Sequence, residues 1–206
     1  MPSTTFYHLP EEKRERLMSA ARAEFLRVPY EDASINRIIR EAGIPRGSFY
    51  MYFTDKEDLF RYLMESYGEL LIQRMGERLD RNHGDLFAAA LDLFDHMRAN
   101  WREGEFREMA AILHRNRQLQ PGLVLNRQGP CAMLDRLRDK IDLSRLDLRT
   151  ETDLPDLFHL MMAASAGSVV AAGKEGGPEQ ARARLVCMLE LLQRGAAAKD
   201  YAVCQG

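Results

Sequence analysis

Arg46, Ser48, Tyr50 and Lys56 fall within the stretch "GIPRGSFYMYFTDKEDLF", residues 43 to 60, and are the side chains here best suited to recognition chemistry. Arg46 and Tyr50 stand four apart and so share one face of a helix. A guanidinium at that position can meet a guanine edge or a phosphate bidentately. The Ser48 hydroxyl and the Tyr50 phenol can donate to phosphate or base. Lys56 falls on the first turn of the next predicted helix, beside free N–H groups that favour an anion. Phe49 and Phe53, also four apart, form an opposite apolar side expected to pack on Ile38, Ile39 and Phe25. Met51 has two readings, contact with a thymine methyl or a filler against the next helix.

Catalytic and metal chemistry find no such footing. His8, His83, His96, His114 and His159 lack H-x-x-x-H or H-E-x-x-H spacing, so they read as ordinary surface or core histidines. No G-x-S-x-G, Walker loop or G-x-G-x-x-G is present, so neither an enzyme nor a cofactor is expected. Cys131, Cys187 and Cys204 have no C-x-x-C spacing; Cys131 and Cys187 sit in apolar helical surroundings and are expected to be buried thiols.

The elements that position the recognition residues are helical throughout. Helical periodicity fills the 206 residues with no sustained two-residue alternation, so the fold class is all-α. A first helix begins near Pro10, carries Leu17, Ala21 and Phe25, and ends before Pro29. Ser34 is a natural N-cap for a second, with Ile35, Ile38, Ile39 and Ala42 at i, i+3, i+4 and i+7, stopped by Gly43 in a left-handed turn. A third spans about 45–52, with Pro45 at its start. Gly47, one turn in, would cost about 1 kcal/mol against alanine, which suits a backbone that must approach DNA closely. Thr54 and Glu57 have capping-box spacing before a long helix that runs to about Asn82 with Leu59, Phe60, Leu63, Met64, Tyr67, Leu70, Leu71 and Met75 on one face. Further helices are predicted at 86–101, 105–117, 121–143 with a break at Gly129 and Pro130, 154–173 and 178–198.

A short helix, a three-residue turn and a second short helix make a helix-turn-helix, whose second member enters the major groove. The same geometry occurs in helical bundles that bind no DNA, and on pattern alone the two readings stand level. Charge does not separate them. The formal net charge is -2, and basic and acidic residues nearly balance over the first 56 positions, so any nucleic-acid contact must be local.

The run from Phe25 to Phe60, with "INRIIREAGIPRGSFYMYFTDKEDLF" at its heart, resembles the N-terminal DNA-binding domain of the tetracycline-repressor (TetR) family of transcriptional regulators. Its A-G-I, G-x-[aromatic or Leu]-Y-x-[aromatic]-F and K-E-x-L elements carry the resemblance, which covers about residues 10 to 60. The resemblance implies DNA contacts at Ser34, Pro45, Arg46, Gly47, Ser48, Tyr50 and Lys56. It also implies a DNA-binding domain over 1–54 and a helical ligand-binding and dimerisation domain over 55–206. The chain departs from the family at Pro29, where glycine is usual before the tyrosine, and at Pro45, where Ser or Thr is common.

In the family the second domain holds a small molecule whose binding changes the separation of two DNA-reading heads. Phe94, Trp101, Phe106, Met109, Phe158 and Met162 are candidate pocket walls, although each also reads as core. "MMAASAGSVVAAG", residues 161 to 173, sets Ala164, Ser165, Gly167, Ser168, Ala171 and Ala172 where a partner backbone could approach. With Leu185, Met188, Leu189 and Leu192 these residues predict a homodimer, matching a palindromic operator with half-sites roughly 34 Å apart. The expectation is a ligand-responsive repressor acting on double-stranded operator DNA through a small-molecule effector. The alternative is a helical small-molecule-binding or interaction protein without DNA function. The N-terminus lacks the apolar segment of a signal peptide and no apolar run reaches about 18 residues, so no membrane partner and a cytoplasmic location are expected.

Overall fold

The computed structural model describes residues 2–100, 104–116, 130–172 and 177–195. All regular structure among them is helical: α1 Thr4–Tyr7, α2 Glu11–Arg27, α3 Ile35–Ala42, α4 Arg46–Tyr52, α5 Lys56–Arg81, α6 Leu86–Ala99, α7 Glu105–Arg115, α8 Pro130–Leu137, α9 Asp153–Ala172 and α10 Gly177–Arg194. Two 3₁₀ turns, Arg138–Lys140 and Leu143–Arg145, follow α8. The chain divides into two compact units. One holds Met1–Leu71 with Trp101–Gly129, the other Ile72–Asn100 with Pro130–Gly206, so the division falls inside α5.

In the first unit α2 starts after Pro10 with Glu11 and Glu12 in its first turn, where the helix dipole favours acids. It stops at Val28, which is extended because Pro29 follows. α3 is capped at both ends. Ser34 accepts from the Arg37 N–H, and Gly43 takes φ 66° and ψ 35°. Ile44 N–H donates to Ile39 at 3.0 Å and Gly43 N–H to Arg40 at 3.2 Å, the paired bonds of a Schellman stop. Leu17, Ala21 and Phe25 of α2, Ile38 of α3 and Leu59, Phe60 and Leu63 of α5 are fully buried and make the core of this unit.

Three features differ from the sequence reading. α1 precedes the first predicted helix; its Phe6 is fully buried, 4.9 Å from the Phe53 ring and 5.1 Å from Tyr62. The ring contacts of Phe25 run to Tyr30 and Phe60 rather than to the Phe49 and Phe53 pair. The cap of α5 is shifted by one residue from Thr54 and Glu57. Asp55 accepts from the Asp58 N–H at 2.8 Å, and Asp58 reaches back to the Thr54 N–H at 3.2 Å. The shorter aspartate pair closes the box because the helix begins at Lys56.

In the second unit α9 and α10 pack on one another and on α6, burying Leu154, Phe158, Met161, Leu185 and Leu189. Arg182 of α10 holds Asp95 of α6 by two bonds of 2.7 Å. Gly84 turns the chain after α5 at φ 76°; a Cβ there would lie 2.6 Å from the Asp142 nitrogen. Cys131 and Cys187 are exposed, against the expectation of buried thiols. The inward stripe of α10 is filled by Ala181, Leu185 and Leu189, which turns Cys187 outward. For the same reason Leu185 and Leu189, expected at a dimer interface, are buried in their own chain, while Met188 and Leu192 are half-buried.

Candidate nucleic-acid interface

α4 has two sharply different sides. Phe49 is fully buried, and Phe53, its C-cap, is 1% exposed and ends the helix in extended conformation. Pro45, Arg46, Gly47, Tyr50 and Met51 are all exposed, Tyr50 at 51% and Met51 at 58%. These put two large side chains in water on one short helix. Met51 therefore does not fill a gap against α5. Arg46 makes no ion pair among the described residues, so its guanidinium is free to find a partner outside the chain. Ser48 is half-buried, and its N–H donates to Pro45 at 3.0 Å, taking the place of the side-chain cap that proline cannot supply.

A buried carboxylate ties α2 to α3. Glu24 is 2% exposed and accepts from Arg27 Nε and Nη2 at 2.9 and 2.8 Å. It also accepts from the Ser34 N–H at 3.0 Å and lies 3.3 Å from Arg37 Nε. The Arg27 hydrogen bonds, then the Ser34 N–H and the charge of both arginines, hold its carboxyl below the usual range in spite of burial. Ser34 is thus fixed twice, by Glu24 on its nitrogen and by its own cap bond.

Lys56 has its ammonium turned onto the loop before α3. Nζ donates to the Glu31 carbonyl at 2.9 Å and to the Ala33 carbonyl at 3.2 Å, and lies 4.7 Å from the centre of the Tyr30 ring. These contacts use two of its three donors and leave one N–H for a phosphate. The loop is also held by α7. Asn116, 5% exposed, accepts from the Tyr30 N–H at 2.7 Å, and Arg115 Nη1 donates to the Arg27 carbonyl at 3.1 Å. The geometry after Pro29 is therefore built from a turn in which Asp32 and Ala33 N–H groups donate to Pro29 and Tyr30.

The N-terminal segment supports the far end of α4. Ser3 donates its N–H to the Tyr52 carbonyl at 2.9 Å and its hydroxyl to the Met51 carbonyl. These are orphan acceptors of the last helical turn. Sequence reasoning missed Ser3, Phe6 and Glu24. Ser3 before Thr4 has the form of an N-cap, which was a legible signal; a buried glutamate in a charge-rich helix was not.

The described candidate pocket residues are divided between the chain's two units. Phe94 and Phe158 are buried and Met162 half-buried in the second unit, while Met109 is buried in α7 of the first. Trp101 and the side chain of Phe106 lie outside the described residues. Among the described residues no group of three His, Cys, Asp or Glu could hold a metal ion, and no helix is long and apolar enough to cross a membrane.

A helix-turn-helix with a fixed inner side and an open outer side defines the class to which the first unit belongs. Residues 17–63 match the family model "Bacterial regulatory proteins, tetR family", and 85–196 match "Tetracyclin repressor-like, C-terminal domain". The chain belongs to the tetracycline-repressor family. It is 39% identical over 56 residues to the uncharacterized HTH-type transcriptional regulator YdgC of Bacillus subtilis, covering 27% of this chain and 29% of that protein. An HTH-type transcriptional regulator of Staphylococcus aureus is 32% identical over 75 residues, 36% of this chain and 40% of that one. The matches thus span less than half the length of these curated relatives. A crystal structure of a TetR family regulator from Chloroflexus aurantiacus is similar at TM-score 0.51 and 25% identity, covering 95% of this chain and 98% of that one. Reduced NemR of E. coli shares the fold at TM-score 0.65 and 17% identity, with 91% and 100% covered.

Proposed function

We propose that the protein is a ligand-responsive, DNA-binding transcriptional regulator, a homodimeric cytoplasmic repressor that reads a palindromic operator through α4. The observation that carries this reading is the outward arc of α4. Arg46, Gly47, Tyr50 and Met51 are exposed while Phe49 and Phe53 are locked inward. Arg46 is the base or phosphate reader, Tyr50 and Ser48 are donors, and Met51 meets a thymine methyl. Gly47 lets the backbone approach, Pro45 starts the helix, and Ser34 at the N-terminus of α3 faces phosphate.

Pairing is supported by the outer faces of α9 and α10. Leu160, Ala163, Gly167 and Ala171 fall at i, i+3, i+7 and i+11, and Arg184, Cys187 and Leu191 at i, i+3 and i+7; all are exposed. Leu160 is 53% and Leu191 62% exposed, the two largest apolar groups in water on these helices. A second copy laid on this face would set two heads for the two halves of an operator. A small-molecule effector acts by favouring one spacing of the heads over the other, to the extent of its differential affinity. The protein works by binding, without a catalytic step.

The test is fluorescence anisotropy of the purified protein on DNA from upstream of its own gene, beside scrambled DNA, at two salt concentrations. Where that DNA fails, selection from a random pool supplies the operator. Binding about a thousandfold or more tighter than to scrambled DNA, and falling steeply with salt, is expected. Failure of the selected pool as well removes the DNA-binding reading.

A further inference from the structure

The second unit contains charged chemistry that neither the DNA reading nor the predicted apolar pocket uses. Arg74 and Arg78 lie one turn apart on α5, with Glu77 between them. Arg78 is 3% exposed. Its Nη1 donates to Glu77 Oε2 at 2.8 Å and to the Arg74 carbonyl at 3.4 Å. Arg74 Nη1 lies 3.4 and 3.2 Å from the two oxygens of the same carboxylate. Both Nε atoms are buried without a hydrogen-bond partner.

A guanidinium binds a carboxylate best along a planar two-donor edge, and on both arginines the Nε donor of that edge is buried and unpaired. Burying such a donor unpaired is unfavourable, and an acceptor from outside would complete the arrangement. The charge count sets its valence. Glu77 neutralises one of the two guanidiniums. Asp92 of α6, a further carboxylate of this unit, accepts from Asn82 at 3.2 Å and lies 3.6 Å from Arg81. Among these named groups one positive charge is left over. His96, one turn after Asp92 on α6, feels both guanidiniums: burial first, then the charges of Arg78 and Arg74, push its imidazole below the usual value, against the opposing charges of Asp92 and Glu77. The same turns carry Met75, Leu79, Leu93 and Met97, all buried, and methionine packs readily on varied apolar shapes.

We propose that Arg74 and Arg78 anchor a monoanionic effector, a carboxylate on an apolar body, seated on their Nε edges. The proposal rests on the ligand-responsive reading above and names the chemical class of the ligand.

The test records the arginine Nε–Hε signals of the full-length protein by two-dimensional ¹H–¹⁵N NMR, with thermal melting alongside. Acetate, benzoate and octanoate are titrated, each beside its neutral amide. The Arg74 and Arg78 signals are assigned from single variants. The carboxylates should shift both signals downfield and raise the melting temperature, while the amides should not. Arg78→Lys keeps the charge but loses the planar edge, and should weaken carboxylate binding by about tenfold or more. Glu77→Gln removes the competing carboxylate and should tighten it. If Arg78 variants fail to fold, Arg74→Gln and Glu77→Gln carry the test. Equal binding of carboxylate and amide overturns the proposal, as does no binding of any carboxylate, or binding that survives Arg74→Gln undiminished. Carboxylate binding through the pair that leaves operator affinity unchanged supports the anion site and refutes ligand-responsive regulation. A neutral compound that releases operator DNA while no carboxylate moves these signals does the reverse.

Discussion

Replacing Gly47 by alanine should move folding stability and operator affinity in opposite directions. Gly47 is in the first turn of α4, and a Cβ built there meets nothing within 4 Å. The chain itself therefore gives no packing reason for glycine. Alanine loses less backbone entropy on entering a helix, so Gly47→Ala should stabilise the protein by about 0.5–1 kcal/mol, raising Tm by about 1–4 °C. The methyl group would project from the exposed arc formed by Arg46, Tyr50 and Met51. Held off by that group, α4 should lose roughly one close contact with the operator, about 1–3 kcal/mol, or about 5- to 150-fold in Kd. Thermal melting and anisotropy on operator and scrambled DNA read both quantities in one preparation. If glycine faces a base edge only the operator weakens; if it faces a phosphate both DNAs weaken. A stabilised variant with unchanged operator affinity would refute the close-approach argument. A lower Tm would refute the open placement of α4 itself.

Lys56→Met keeps the apolar stem but removes the bonds to the Glu31 and Ala33 carbonyls; it should lower stability by about 1–3 kcal/mol and, if the third N–H meets a phosphate, reduce the salt slope by about one. A reduced slope with unchanged melting would mean that the latch contributes nothing to folding. Glu24, held mainly by Arg27, has a depressed folded pKa, so its contribution is fully present above the ordinary glutamate range and is lost as pH falls through the depressed value. Glu24→Gln should remove that part of the acid dependence in melts below about pH 5, and an identical acid profile would exclude the linkage. Phe6→Ala empties a fully buried site against Phe53 and Tyr62 and should cost about 3 kcal/mol and about 6–12 °C in Tm. Ser3→Ala keeps the aromatic rings and the Ser3 N–H bond but removes the hydroxyl bonds to the Met51 carbonyl and from the Phe6 N–H; it should cost more free energy in operator binding than in folding, and the opposite ranking would assign Ser3 a purely structural role.

Legibility in the sequence followed how local the determining physics was. Ser34 and Gly43 bracket α3 through bonds made within five residues, and both were readable from residue type and spacing. α4 was readable for the same reason, since Pro45, Gly47 and the Phe49–Phe53 spacing state its start, its open side and its inner side. α1 was not, because four residues lack the length for a periodic pattern, and apart from the neighbouring Tyr7 the rings against Phe6 come from far along the chain, Tyr52, Phe53 and Tyr62. The cap of α5 was displaced by one residue because "TDKED" offers two overlapping boxes, and the first residue of the helix chooses between them. Cys187 was misplaced because an apolar neighbourhood in sequence does not say which side of α10 faces its own core. Arg78 stood in a charge-rich stretch where every arginine looks solvated, and only the packing around α5 distinguishes it.

Four restraints on the first unit converge on α3 and α4 from separate directions. Glu24 fixes the start of α3, Lys56 fixes the loop before it, Ser3 closes the end of α4, and Asn116 of α7 holds the Tyr30 nitrogen. Three of them use a buried or charged group, Glu24, Lys56 and Asn116, whose removal leaves an orphan group, so their energies are coupled rather than independent. A head so fixed before it meets DNA spends little ordering entropy on binding. It also limits how an effector can act. Melting or reshaping α4 would require several of these bonds to break together. Carrying the intact head to a new position would break none of them. The differential affinity of one small ligand, about 1–3 kcal/mol in typical coupling, is enough for the second and too little for the first. On the reading proposed above, regulation acts on where the heads stand, and the residues of the head act on what is read once they are in place.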